Sequence, residues 1–198
     1  MSNKNTKKRT QKLAILGLFS AIIVVLQLLS YGLTALGVFP LSLVLIPIVL
    51  GAYLYGAGAG AILGGVFGIV VTLCCFFGLD KGGYILVSAN PFITTMICII
   101  KGVLAGFVSG LVSNPLKNKN SLLSAILGAA AAPIVNTGVF ILCLSLFFKE
   151  ILISWAGGTD LVFYIFTGLV GINFLVEFVV NLIASPIILR IQKALKRI

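Results

Sequence analysis

Between Lys12 and Asp80 no residue is charged, a run of 67 consecutive positions from 13 to 79. As one continuous helix that run would extend about 100 Å, roughly three crossings of a 30 Å hydrocarbon core. A soluble fold of this length has no interior large enough to hide so much apolar surface. The rest of the chain agrees: mean hydropathy is +1.23 and only 9% of its 198 residues are charged, against about a quarter in soluble domains. A cytosolic enzyme is excluded. The expected fold is all-α, a polytopic membrane protein forming a single integral-membrane domain over 1–198 with no separate soluble domain.

A formal charge of +10 invites a nucleic-acid reading, but the basic residues are in the wrong places for one. Eleven of the fourteen lie in three clusters: Lys4, Lys7, Lys8, Arg9 and Lys12; Lys117 and Lys119; Arg190, Lys193, Lys196 and Arg197. Positions flanking apolar runs are where the positive-inside bias puts them. The first apolar run, Leu13 to Leu29, is longer than the hydrophobic region of a signal peptide and no convincing small-residue cleavage site follows, so it reads as a retained span.

Six spans fit, at about 11–30, 40–55, 58–78, 92–113, 121–148 and 161–195. The second contains Pro47 and is expected to be short, tilted or partly re-entrant. Gly78 to Gly83 and Lys149 to Asp160 read as loops, and Asn90-Pro91 opens the fourth span. With six spans both termini share one side. That side then holds all eleven clustered bases, while the opposite loops hold Lys81 and Lys149 offset by Asp80, Glu150 and Asp160. Both termini are therefore expected in the cytoplasm.

Glycines recur every fourth residue at Gly56, Gly60, Gly64 and Gly68, and again at Gly102, Gly106 and Gly110. Such stripes let helices approach closely in lipid, and internal packing is their expected use. The four cysteines lie in apolar runs without metal-ligand spacing, and histidine is absent, so neither a metal nor a cofactor is expected.

Polar groups inside the spans carry the functional signal, because a charge at that depth costs at least a few kcal/mol and normally faces a bundle interior or a wet cavity. Lys101 lies within the fourth span and Glu177 within the sixth. Asn173, Glu177 and Asn181 are spaced by four and share one helical face. Asn136 lies beside Pro133 in the fifth span, and Asn90, Thr94 and Thr95 gather at the mouth of the fourth. Two readings stay open here. Lys101 and Glu177 form a buried ion pair completed by asparagines, or the group lines an outward-reached ligand site with Lys101, Asn136, Asn173, Glu177, Asn181, Asn90 and Thr94 as binding residues.

The whole chain resembles the substrate-binding S components of energy-coupling factor (ECF) vitamin transporters. The segment Leu13-Ala14-Ile15-Leu16-Gly17-Leu18-Phe19-Ser20-Ala21 is similar to the family's first helix, with Gly17 where the family usually has alanine. Pro47 to Gly56 before a glycine-rich helix, and Glu177 with Asn181, Ser185-Pro186 and a basic tail, match the later helices in order. The resemblance implies a vitamin-binding protein of a prokaryotic plasma membrane, with no catalysis of its own. It would work with a transmembrane coupling subunit, docked on Gly17 and Ala21, and two ATPases, and would topple in the bilayer to release its cargo. Lys101 suits a carboxylate and the asparagines suit amide or hydroxyl groups, which favours pantothenate, then folate.

Two other classes compete. A membrane enzyme would need more acids than four, or histidine, for metal or acid–base chemistry, and no phosphate-binding Gly-Lys-Ser/Thr loop is present. A self-sufficient secondary transporter would use Glu177 as its ion carrier.

Overall fold

Asparagine and aspartate punctuate the chain because their side chains satisfy the free amides of a helix start. In the computed structural model, which describes residues 2–35, 43–169 and 171–195, Asn90 Oδ1 accepts from Ile93 N at 3.0 Å and Asn120 Oδ1 from Leu123 N at 3.0 Å. Asp80 and Asp160 do the same for Gly83 N and Phe163 N, at 2.8 and 2.9 Å. The helices so delimited are α1 (Ser2–Ala35), α2 (Leu45–Tyr55), α3 (Ala57–Phe76), α4 (Lys81–Ala89), α5 (Pro91–Ser113), α6 (Ser121–Phe147), α7 (Lys149–Ala156), α8 (Leu161–Tyr164) and α9 (Gly171–Leu195). No strand occurs among the described residues.

Five of these, α1, α3, α5, α6 and α9, contain stretches long and apolar enough to cross a membrane. The first, third, fourth and fifth expected spans coincide with α1, α3, α5 and α6 to within a few residues, although α1 continues through the basic segment to Ser2. The second expected span narrows to α2, whose 11 residues reach about 16 Å, half a hydrocarbon core. Its positions 40–42 fall outside the described residues. Pro47 causes no break because it sits in the first turn of α2, where amides have no intrahelical partner.

The sixth span differs from expectation. Residues 161–195 are not one helix: α8 runs into a π-helical stretch, Ile165–Leu169, and α9 starts only at Gly171. The two expected outer loops also contain helices, α4 and α7. α7 and the Leu161–Leu169 stretch are together long and apolar enough for a span but bend by 85°. Gly157 and Gly158, with φ of +58° and +87°, supply the left-handed turn that ends α7.

The glycine stripes hold the centre together. α3 and α5 run antiparallel with Gly60 against Gly106 and Gly64 against Gly102, so close that a Cβ on any of the four would collide with the backbone carbonyl opposite. A Cβ on Gly68 would meet Cys98 O at 2.6 Å. Without a hydrophobic drive between helices in lipid, this approach supplies the dispersion contact that binds the pair. Beside it α5 and α6 share two hydroxyl bonds, Ser109 Oγ to Gly128 O at 2.8 Å and Ser124 Oγ to Ser113 O at 2.6 Å. α2 is buried along most of its length, and α1 covers it and α3 with Leu16, Phe19, Ile23 and Gln27, one residue per turn.

Candidate functional site

The face of α5 formed by Thr94, Ile97, Cys98 and Lys101 follows the i, i+3, i+4, i+7 rule of one helical side. All four line a cavity of about 230 Å³. Val71 and Cys75 of α3 form a second wall, and Gly82, Gly83 and Leu86 of α4 a third. Phe140 of α6, Trp155 of α7 and Leu169 complete it, and Asp80 lies at the α3–α4 corner. The two short helices that a hydropathy reading takes for loops are thus parts of the wall.

Lys101 lies ten residues into α5, about 15 Å from its start. Its ammonium sits over the Phe140 ring, 4.6 Å from the centroid, a cation–π contact of about 0.5–2 kcal/mol according to how far it is desolvated. Among the described residues it makes no ion pair. Thr94, only 2% exposed, donates from Oγ1 to Asn90 O at 2.9 Å, which leaves its oxygen free to accept. The lining is otherwise apolar, so the cavity combines one cation, a few polar atoms and hydrophobic walls, the usual make-up of a small-molecule site.

Asp80, the one acid in this lining among the described residues, is held from two sides. Its Oδ1 takes the Gly83 amide at the start of α4, and its Oδ2 accepts from Tyr31 Oη of α1 at 3.0 Å. Tyr31 and Asp80 are 49 residues apart, so this bond joins α1 to the cavity wall.

Of the seven residues expected to bind ligand, the structure brings Lys101 and Thr94 together in the cavity. Asn90 caps α5 and borders a separate, more open hollow beside Lys149 and Glu150. Asn136 is one turn from Phe140 on α6 and does not line the cavity; its Oδ1 is buried with no hydrogen-bond partner among the described residues. The α9 residues lie elsewhere. Asn173 is exposed, Glu177 is half-buried, and Asn181, 1% exposed, donates from Nδ2 to Glu177 O at 2.8 Å while its own Oδ1 has no hydrogen-bond partner among the described residues. Gly17 and Ala21 are exposed on the outer side of α1, and a Cβ on Gly17 would meet nothing within 4 Å. No cluster of three or more metal-ligating side chains occurs among the described residues.

Sequence reasoning missed Asp80, Tyr31, Cys75, Cys98 and Trp155 as site residues. The signal for Asp80 was present as an N-cap before Lys81-Gly82-Gly83, and Trp155 is the single tryptophan of the chain. The cysteines pass for core packing from sequence because they lie in apolar runs.

Comparison with known proteins places this geometry. The family model described as "ECF transporter, substrate-specific component" matches residues 11–189. The chain is 27% identical over 192 residues to the pantothenic acid transporter PanT of Lactococcus lactis subsp. cremoris (strain MG1363), covering 92% of this chain and 93% of that protein. No solved structure matches significantly. A match over most of the chain, with the all-helical apolar architecture beneath it, makes this protein a member of the substrate-specific component family of ECF transporters.

Proposed function

We propose that the chain captures pantothenate at the outer face of a prokaryotic plasma membrane and delivers it inward as the S component of an ECF importer. The observation that carries the reading is Lys101, a cation without an ion-pair partner among the described residues, in a small and mostly apolar cavity. A half-buried ammonium among apolar walls asks for an anionic partner. A carboxylate satisfies it, the Thr94 oxygen accepts from a ligand hydroxyl or amide, and Val71, Ile97 and Trp155 cover the dimethyl-bearing part of pantothenate. The similarity to PanT supports the same choice. A cavity of about 230 Å³ suits pantothenate better than the much larger folate. Asn136, its oxygen without a hydrogen-bond partner among the described residues, is a further polar group on α6, one turn from Phe140.

The membrane arrangement belongs to the same proposal. Six crossings, made by α1, the short α2, α3, α5, α6 and the broken stretch from α8 into α9, leave both basic termini in the cytoplasm. Gly17 and Ala21, exposed on α1, receive the transmembrane coupling subunit, and two ATPases drive the toppling that releases cargo. Calorimetric titration of the purified protein tests the substrate. Pantothenate should bind at one saturable site and folate should not; a different vitamin found by native mass spectrometry on the purified protein would overturn the assignment.

A further inference from the structure

A cavity lined by one lysine and one aspartate ordinarily neutralises itself, since the ammonium and carboxylate are each other's nearest strong partners. This cavity has both, Lys101 and Asp80, yet Lys101 faces the Phe140 ring. The reason is on the far side of Asp80. One carboxylate oxygen is fixed by the Gly83 amide at 2.8 Å and the other by the Tyr31 hydroxyl at 3.0 Å, so the acid is held toward α1 and the start of α4.

We propose that Tyr31 is a specificity-determining residue: by holding Asp80 it keeps Lys101 available, and so makes the cavity selective for a carboxylate ligand over its neutral counterpart. The inference rests on the pantothenate reading above. Tyr31 itself does not line the cavity and touches no ligand. It acts through Asp80, as a positioning residue on α1. Removing its hydroxyl leaves Oδ2 without that donor, and the freed oxygen turns to Lys101 in the same cavity lining. A ligand carboxylate must then displace it. A neutral ligand, which never needed Lys101, is indifferent to the change.

The test is a cycle of Tyr31→Phe, Asp80→Asn and the double variant, titrated with pantothenate and with pantothenol, in which CH2OH replaces the carboxylate. Asparagine still caps α4 through Oδ1. In the wild-type protein pantothenate should bind more tightly than pantothenol. Tyr31→Phe should lose about tenfold in pantothenate affinity, the size of one charge-assisted contact, and keep pantothenol within about threefold. Adding Asp80→Asn should restore pantothenate to within about threefold of wild type. Asp80→Ser, which removes the competing charge and keeps a capping oxygen, is an independent arm expected to bind pantothenate as tightly as wild type or tighter. Unchanged pantothenate affinity in Tyr31→Phe, equal losses for both ligands, no rescue in the double variant, or a pantothenate-specific loss in Asp80→Ser would each overturn the inference and leave the substrate reading standing. Failure of the wild-type protein to bind pantothenate would overturn both.

Discussion

Lys101 shows what one residue can reveal when the surrounding chemistry is uniform. In a soluble protein a lone lysine means little; within the apolar run of α5 it marks a cavity, and the structure puts it there. Replacing it by methionine keeps the stem's packing and removes the charge. Lys101→Met should therefore lower pantothenate affinity on the order of ten- to a hundredfold, the worth of a charged hydrogen bond, with little change in melting temperature. Calorimetry and a thermal-shift scan on the same preparation check both halves. The asparagines illustrate where such reasoning stops. Spacing by four puts Asn173, Glu177 and Asn181 on one face, but it does not say toward which neighbour that face turns. Asn173 is exposed and does not line the cavity, so Asn173→Leu should leave pantothenate affinity within about threefold of wild type, since an exposed position away from a site carries little energy.

Helices in this chain were legible in proportion to their length. The long spans announced themselves by hydropathy, and their glycine stripes announced that they would pack closely. Which stripe met which was not legible, because a stripe is compatible with any small-residue partner. The antiparallel pairing of Gly60 with Gly106 and Gly64 with Gly102 came only with the structure. α4 and α7 escaped because nine and eight residues hold barely two turns, too few for a period of 3.6 to stand out from the Gly and charged residues around them. Glycine context gives a sharp contrast at this scale. Gly64→Val drives a side chain into the Gly102 carbonyl and should destabilise the bundle by about 1–3 kcal/mol or more, seen as a lower melting temperature in detergent. Gly17→Val, with open space before it, should leave stability unchanged. On the same outer face, Ala21→Trp should preserve ligand affinity and abolish ATP-driven uptake, because it fills the groove proposed for the coupling subunit and touches no cavity wall. Loss of ligand binding in Ala21→Trp would return this face to internal packing.

For the molecule as a whole, charge and hydropathy together carried most of the architecture. An uncharged run of 67 residues required a membrane fold, and an all-helical chain with five long apolar helices and one bent pair followed. The candidate site was less legible, since its cavity is assembled from five helices, Asp80 between α3 and α4 and one residue after α8, and a 49-residue link between Tyr31 and Asp80 is revealed by no local pattern. The clustering of eleven bases supports the proposal that both termini lie inside. Epitope tags at either end should stay inaccessible to antibody in intact protoplasts and become accessible on permeabilisation.

On the proposed function, this chain binds pantothenate and its partners supply the energy. Radiolabelled pantothenate supplied to proteoliposomes separates those roles. The chain alone should take up label only to the level of its own binding sites, with or without a proton or sodium gradient. Accumulation above that level should require the coupling subunit, both ATPases and ATP. Gradient-driven accumulation by the lone chain, abolished by Glu177→Gln, would contradict the account and make this protein a secondary transporter.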